Sequence, residues 1–248
     1  MIERVEYYCG PDVIQVEYRY PMRWGAPGCK REERRKPTPE EMEKMNQRNR
    51  EKKLQRIILT NFQPGKAWHC ILKYRPQDRP EEWDLAKKQI SDFRRKIKRI
   101  LNKAGMTFRW ISITERGKKG QALHHHMIIE DITEDGINMV KLFKENWKFG
   151  SCAFIDLYED GEYEKLAEYI IKKETKEDTK GCSYSRSRGN LKEPKVRKKV
   201  LRRKRWPQEP KPKKGFYIVK ESVYNGENRV TGYPYQYYTQ RRVARCQR

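Results

Sequence analysis

Long hydrophobic runs are absent from this sequence, and only 35% of its 248 residues are hydrophobic. A helix that crosses a bilayer needs about 20 consecutive apolar residues, and no stretch approaches that length. The first ten residues, MIERVEYYCG, carry charge where a secretory signal peptide would be apolar. We therefore expect a cytoplasmic protein with no membrane-spanning segment.

Cysteine pairs at metal-binding or disulfide spacing are also missing. The six cysteines are scattered along the chain, with no C-x-x-C pair. This pattern argues against a zinc ribbon and against a disulfide framework, and it is typical of reduced thiols in a cytosol. A G-x-x-x-x-G-K-S/T phosphate loop is absent as well, so the sequence gives no sign of an attached helicase.

Acidic residues are few relative to basic ones. There are 34 aspartates and glutamates against 58 lysines and arginines, which gives a formal net charge of +24. A compact enzyme acting on small neutral molecules has little reason to carry such a charge, so we expect a polyanionic partner. Residues 192–214 form a basic tract interrupted by prolines. We interpret this tract as a phosphate-neutralising segment, a solvated tail, or both.

The C-terminal part of the sequence combines this basic tract with aromatic residues. Residues 215–238 contain several tyrosines, which either stack on single-stranded bases or pack back on the catalytic domain. The candidate nucleic-acid contacts are Arg186, Arg188, Lys195, Lys198, Arg202 and Arg203.

Helix and strand signals predict a regular region that begins near Ala67. Before it, Val13–Tyr20 alternates like a strand, and a capping box at Thr38–Glu41 predicts the start of a basic helix. A second capping box at Asp78–Glu81 predicts the start of a longer helix, which Gly105 closes. Its predicted core face consists of Ala86, Ile90, Phe93, Ile97, Ile100 and Ala104.

The regular region reads as alternating strands and helices. After the strand at 68–74 and the long helix, two strands are predicted within 110–130, a helix at 134–147, a strand at 152–158 and a helix at 162–173. This βαββαβα order predicts one sheet with helices packed on it.

Three of the four histidines stand in a row in the second strand of the predicted hairpin, at positions 124 to 126. Side chains alternate along a strand, so His124 and His126 share one face and His125 points to the other. Glu115 ends the preceding strand and can lie across the hairpin from them. Two histidines and one carboxylate would leave coordination positions open, as a catalytic metal site requires. The alternative is a polar strand end with incidental histidines.

Two further residues near this hairpin have open interpretations. His69, on the first strand of the regular region, is an alternative third metal ligand, a phosphate contact, or a strand-end histidine with a local hydrogen bond. Glu130 has the same strand parity as His126 and could also reach a metal there.

The last predicted helix carries Tyr169 and Lys172, which are three residues apart and therefore neighbours on one helical face. The tyrosine is a candidate nucleophile, and the lysine could orient a metal or a phosphate. The alternative is a half-buried tyrosine beside a solvated lysine. Tyr217 and Lys220 have the same spacing, but they lie in a β-like run where positions three apart face opposite sides.

In order and spacing, these motifs resemble the HUH endonuclease superfamily. The strand at 68–74, Glu115, the histidine row and the Tyr169 helix carry the likeness, which covers about residues 55–200. Within the superfamily, the chain is most similar to single-tyrosine replication initiators of rolling-circle plasmids and single-stranded-DNA phages. Residues 182–194 also look like the stretch that follows the catalytic helix in bacterial members.

Two positions depart from the superfamily pattern. His125 stands between the paired histidines, where a hydrophobic residue is usual, and Lys73 occupies a position in the first motif where threonine is common. The first departure concerns which two histidines bind metal. His124 and His126 are the better pair because the hydrophobic run 127–129 follows His126 directly.

The resemblance implies an α+β fold with a single antiparallel-dominated sheet, like that of ferredoxins and RNA-recognition domains. It implies that Glu115, His124 and His126 bind Mg²⁺ or Mn²⁺ and that Tyr169, assisted by Lys172, attacks a phosphate of single-stranded origin DNA. The product would be a 5′-phosphotyrosine and a free 3′-hydroxyl that a host polymerase extends, with a host helicase unwinding the duplex. Closing the circle would need a second subunit, reuse of Tyr169, or Tyr163.

The expected organisation is an N-terminal extension (1–60), a catalytic domain (61–180) and a basic C-terminal extension (181–248). Two alternatives to a replication initiator remain at this stage. One is a transposase or relaxase of the same superfamily, and the other is a non-catalytic nucleic-acid-binding protein with an RNA-recognition-like sheet. The second would need surface aromatics on its central strands, where this sequence has histidines and Glu115.

Overall fold

The computed structural model describes residues 1–21, 38–117, 122–157, 166–170, 184–228 and 232–243. The chain forms two compact units. The central unit consists of residues 50–192, and the terminal unit combines residues 1–49 with 193–248. Each unit contains one five-stranded sheet whose strands are paired antiparallel. The predicted α+β class with antiparallel pairing is confirmed, whereas the prediction of a single sheet is not, because the terminal unit builds a second one.

The strands and helices are numbered in chain order. The strands are β1 (Ile2–Cys9), β2 (Val13–Arg19), β3 (Ala67–Lys73), β4 (Trp110–Arg116), β5 (Leu123–Glu130), β6 (Cys152–Asp156), β7 (Ser185–Arg186), β8 (Lys195–Leu201), β9 (Phe216–Asn228) and β10 (Tyr233–Arg242). The helices are α1 (Pro39–Asn61), α2 (Trp83–Lys103) and α3 (Met139–Asn146), and residues 166–170 are also helical. Short 3₁₀ turns occupy Pro76–Asp78 and Thr133–Asp135.

The central unit follows the predicted βαββαβα order. Its sheet has the strand order β6-β3-β5-β4-β7, which places β5 in the middle, between β3 and β4. The strands β3 to β6 carry the βαββαβ part, and the helical residues 166–170 follow them. The sequence therefore predicted the connectivity of this unit, and the central position of β5 places its histidines between two paired strands.

The central sheet is covered by apolar side chains on both faces. Because side chains alternate along a strand, Met127 faces one side and Ile128 the other. The Met127 side packs against the apolar residues of α2 and α3. The Ile128 side packs against the last turns of α1 and against the helical residues 166–170. Two-sided burial fixes the register of the strands, because a slip of one residue would exchange the two faces.

Helix α2 buries an apolar stripe at spacings of three and four, as predicted. The stripe ends on Leu101, whereas the predicted Ile100 is only partly buried and Ala104 is exposed. Gly105 closes the helix with φ +74°, and the amide of Met106 donates to the carbonyl of Leu101, a Schellman arrangement. No helix in the described ranges is long and apolar enough to span a membrane.

The two predicted capping boxes have different outcomes. At the start of α1, the Glu41 amide donates to Thr38 Oγ1 and the Thr38 amide donates to the Glu41 carboxylate, so the first box is confirmed. The second is wrong. Asp78 accepts a hydrogen bond from Arg75 Nε at 2.6 Å and lies in a 3₁₀ turn, and α2 begins later, at Trp83.

Gly150 marks a close approach of two backbone segments in the central unit. The Lys73 amide donates to the Ser151 carbonyl at 2.9 Å, and the Arg75 amide donates to the Phe149 carbonyl at 2.8 Å. A Cβ atom on Gly150 would overlap the carbonyl oxygen of Lys73. Glycine therefore permits the end of β3 and the chain before β6 to lie side by side.

The terminal unit is built from both ends of the chain. Its sheet has the order β8-β1-β2-β10-β9, so the N-terminal hairpin is flanked by strands from beyond residue 194. The predicted strand at Val13–Tyr20 is confirmed as β2. Much of the region interpreted as a basic tail therefore forms strands. Of its aromatic residues, Tyr238 is buried in a cluster with Tyr18, and Trp206 stacks on the Tyr18 ring at 5.7 Å.

Candidate metal centre

The hairpin of β4 and β5 brings together the three predicted metal ligands. Glu115 is paired with His124 across the two strands, and His126 is the next residue on the same face of β5. His124 Nε2 lies 2.8 Å and His126 Nε2 lies 3.2 Å from Glu115 Oε1. One ligand atom from each residue lies within 4.8 Å of the other two. This is a compact set of two nitrogens and one oxygen that can hold a divalent cation.

The other ring nitrogen of each histidine has its own partner. His124 Nδ1 lies 3.2 Å from the carbonyl oxygen of Ala122, so Nδ1 carries the proton and Nε2 has the free lone pair. His126 Nδ1 lies 2.9 Å from His69 Nε2, and these two rings are stacked with centroids 5.1 Å apart. Such contacts behind a ligand fix its ring orientation. Both Nε2 atoms therefore point at Glu115, which suits the residues to a bound cation.

Tyr169 reaches this group from the helical residues 166–170. Its hydroxyl donates to Glu115 Oε1 at 2.5 Å and lies 3.4 Å from His126 Nε2. Ala167 and Ile170 on the same helical segment are buried against the sheet, which fixes the direction of the tyrosine. Lys172, the second residue predicted on this helix, lies outside the described residues.

Burial and hydrogen bonding shift the pKa values in the group. Burial favours the neutral form of Glu115, but hydrogen bonds from His124, His126 and Tyr169 outweigh it and hold the pKa of this carboxyl below its usual range. Burial, followed by the hydrogen bond to Glu115 and its charge, raises the pKa of the Tyr169 phenol. Glu115 is therefore an anionic ligand, and the phenol is its hydrogen-bond donor.

His125 lies on the opposite face of the sheet and is fully buried. Its Nε2 is 2.8 Å from the Tyr74 hydroxyl, and its Nδ1 is 2.8 Å from Thr114 Oγ1. Burial, and then the positive charge of Arg94, lowers the pKa of His125 to about 3, so the ring is neutral. His125 therefore belongs to the core, and the structure separates it from His124 and His126.

The structure also assigns surroundings to His69 and Glu130. His69 is placed behind His126 and is not among the three clustered ligands found in the described residues. Burial, and then the charge of His126, lowers the pKa of His69 to about 4. Glu130 accepts a hydrogen bond from Arg109 at 2.8 Å. The sequence could not show the contact between His69 and His126, because it depends on the register of β3 against β5.

The predicted nucleic-acid contacts are distributed over both units. Arg186 is partly buried in β7 and Arg188 is exposed just after it, both in the central unit. Lys195 and Lys198 are exposed on β8, but they are three residues apart and so face opposite sides of that strand. Arg202 and Arg203 follow β8 and are exposed. These six residues therefore do not share one face, and their role stays a prediction.

Comparison with known proteins gives a family for the central part of the chain. No curated protein and no solved structure matches the chain significantly. Residues 67–178 match the model of the family described as Replication-associated protein ORF2. This segment contains Glu115, His124, His126 and Tyr169. The part of the chain that carries the candidate metal centre therefore belongs to the Replication-associated protein ORF2 family, a family of rolling-circle replication initiators.

Proposed function

We propose that this protein initiates rolling-circle DNA replication by cutting and rejoining single-stranded origin DNA through Tyr169. The observation that carries the proposal is the position of the Tyr169 hydroxyl, 2.5 Å from the Glu115 carboxylate and beside two histidine nitrogens. A nucleophile next to a metal-binding group is the arrangement that phosphoryl transfer needs. The family match over residues 67–178 supports residues 61–180 as the catalytic domain.

The proposed reaction exchanges one phosphodiester for another. Tyr169 Oη loses its proton and forms a bond to phosphorus. The bond from phosphorus to the 3′ oxygen breaks, and that oxygen takes up a proton to become a free 3′-hydroxyl. The products are a 5′-phosphotyrosine and a primer end. Because one ester replaces another, attack by a 3′-hydroxyl reverses the reaction and joins strands without a nucleotide cofactor.

Glu115, His124 and His126 would hold the Mg²⁺ or Mn²⁺ ion. The donor set carries one negative charge, and of these two ions Mn²⁺ fits it better because imidazole is a softer ligand than the oxygen donors Mg²⁺ prefers. A divalent ion bound there supplies positive charge that polarises a non-bridging phosphate oxygen and orients the phosphate. His69 and the Ala122 carbonyl hold the two imidazoles in position. We assign Lys172 to the phosphate.

The proposal includes partners and a compartment. Single-stranded DNA of a plasmid or phage origin is the substrate, and the excess of basic residues, 58 against 34 acidic ones, favours its binding. A host helicase and a host polymerase supply unwinding and synthesis, which places the reaction in the cytoplasm. Termination uses a second subunit, a second cycle of Tyr169, or Tyr163, which lies outside the described residues.

Two alternatives are less well supported. A transposase or relaxase of the same superfamily would share the chemistry, but the family that matches is one of replication-associated proteins. A non-catalytic RNA-recognition-like protein would present exposed aromatics on its central strands. In this protein the corresponding face of β4 and β5 presents Glu115 and His126, both buried.

The test is the formation of a covalent adduct. Purified protein is mixed with single-stranded DNA from the replicon that encodes it, with Mn²⁺ or with a chelator, and is run on a denaturing gel. DNA labelled at the 3′ end should move with the protein, and DNA labelled at the 5′ end should give a shorter free fragment. Both products should require the metal.

Two tyrosine variants make this test specific. Tyr169→Phe removes only the nucleophilic oxygen and should abolish both products. Tyr217→Phe changes the exposed tyrosine of the other Tyr-x-x-Lys pair and should leave them intact. If Tyr169→Phe still forms the adduct, another residue is the nucleophile. If the wild-type protein binds every strand of the replicon and cuts none, the binding-protein alternative replaces the proposal.

A further inference from the structure

A second cluster of charged residues lies in the terminal unit, where β8 pairs with β1. In the register of these strands, Arg197 lies opposite Glu6 and Lys199 lies opposite Arg4. Positions that pair across strands share a face, so the four side chains project from the same side of the sheet. They line a cavity of about 110 Å³.

The charges around this cavity are not balanced. Glu6 is the one carboxylate of the four, and its two oxygens are already engaged: Oε1 lies 2.7 Å from the Arg4 guanidinium, and Oε2 accepts from the Tyr8 hydroxyl at 2.6 Å. Within the described parts of the chain, Arg197 and Lys199 form no ion pair. Arg4 Nε is buried there without a hydrogen-bond partner. The cavity thus offers unused cationic donors to an anion.

We propose that this cavity is a second phosphate-binding site, which holds the backbone of single-stranded DNA away from the metal centre. A phosphate oxygen would accept from Arg4 Nε, and Arg197 and Lys199 would neutralise the phosphate charge. The ligand identity, a DNA phosphodiester, rests on the proposed function. The site itself rests on the register of β1 and β8 and on the cavity.

The position of β8 suits an extended polyanion. It is an edge strand of its sheet, and most of its residues are exposed. Lys195, Arg197 and Lys199 repeat on one side at about 6.7 Å, twice the rise per residue of a strand. Successive phosphates of an extended single strand can match such a repeat. The cavity at Arg197 and Lys199 would then hold one phosphate, and Lys195 would contact a neighbouring one.

A plainer role for these charges is protection of the sheet edge. Lysines on an edge strand discourage pairing with other chains. That role needs exposed charge alone and does not explain why cations from two strands surround one cavity with a buried guanidinium N–H. The two roles differ in a measurable quantity, because only bound phosphate releases counterions when the site is filled.

The test measures how salt weakens the binding of single-stranded DNA to the full-length protein. All measurements use the Tyr169→Phe background, so failure of the cutting chemistry leaves this test intact. The double variant Arg197→Gln, Lys199→Gln is compared with Lys44→Gln, Arg48→Gln, which removes the same charge from exposed positions of α1. Both pairs are exposed, and an unfolding curve confirms that each variant folds.

The expected result is a smaller slope of log K against log salt for the β8 pair. The slope should fall by about 0.7 for each phosphate that the variant no longer neutralises, whereas the α1 pair should keep the slope of the parent protein. An equal change in both pairs, or no change in the β8 pair, would overturn the proposal. Titration with inorganic phosphate is the second arm. Binding that the β8 pair abolishes while the DNA slope is unchanged would show a free-anion site and would also overturn it.

Discussion

Glu115 and His124 face each other across the β4–β5 hairpin, with His124 Nε2 2.8 Å from Glu115 Oε1. His126 joins them because it is the next residue on the same face of β5. The centre is therefore a consequence of strand register. A slip of one residue in β5 would move both histidines to the other side of the sheet.

Replacement of Glu115 by glutamine should remove most of the metal affinity. The change keeps the size of the side chain but removes the negative charge that offsets the cation. When Mn²⁺ is present at about 100 times the dissociation constant, the parent protein should gain about 2.7 kcal/mol of stability, and Glu115→Gln should gain little. Urea unfolding with Mn²⁺ or with a chelator measures this difference.

Glu130→Gln is the matched control for that experiment. Glu130 lies at the end of the same strand face but is paired with Arg109. Its variant should keep the full Mn²⁺ effect. Equal stabilisation of the Glu115 variant and the parent protein would show that the carboxylate is not a ligand.

The contact between His69 and His126 predicts a positioning role for His69. His69→Phe keeps a ring against His126 but removes the nitrogen at 2.9 Å. Loss of a group that orients a ligand typically weakens metal binding by about 10-fold to 100-fold, and we expect this range for Mn²⁺ in a calorimetric titration. His69→Gln retains an acceptor and should lose less. Parent-like affinity in His69→Phe would contradict the role.

His125 should matter for stability and not for metal. His125→Leu leaves the buried Tyr74 hydroxyl without the nitrogen it contacts at 2.8 Å, which should cost about 1–3 kcal/mol of unfolding free energy. Adding Tyr74→Phe should recover part of this loss, because both polar partners are then gone. The Mn²⁺ affinity of His125→Leu, measured under folding conditions, should equal that of the parent protein. A lower affinity would make His125 part of the centre.

Gly150→Ala should destabilise the central unit. The added methyl group meets the backbone of Lys73, which cannot move without breaking its hydrogen bond to Ser151. Overpacking of this kind costs about 1–3 kcal/mol, to be measured by urea unfolding. Gly117→Ala is the control, because its Cβ would lie at an ordinary 3.8 Å from the Ala122 carbonyl oxygen. Equal stability of the two variants would contradict the close approach.

Local sequence patterns were sufficient to predict the central unit. The alternation of His124 and His126, with Glu115 before the turn, predicted which side chains share a face because strand geometry has a period of two. The apolar spacing of α2 predicted its buried face, apart from the last turn, where Leu101 replaces Ile100 in the core. The capping box at Asp78 failed because a nearby arginine binds that carboxylate.

The terminal sheet could not be predicted in the same way. Its pairs join residues far apart in the chain, such as Tyr7 with Val196 and Val16 with Tyr238. Periodicity shows that a segment is a strand, but it carries no information on a partner nearly two hundred residues away. The contact of His69 with His126 and the cavity at Arg197 escaped prediction for the same reason.

The order of the strands in the terminal sheet also bears on how the chain folds as it is made. Strands β1 and β2 are synthesised first, yet β1 lies between β2 and β8, and β2 lies between β1 and β10. Residues 50–192 form a contiguous unit that can fold while the C-terminal strands are still missing. The N-terminal hairpin must wait for the last part of the chain, so a premature stop before residue 195 would leave both of its edges unpaired.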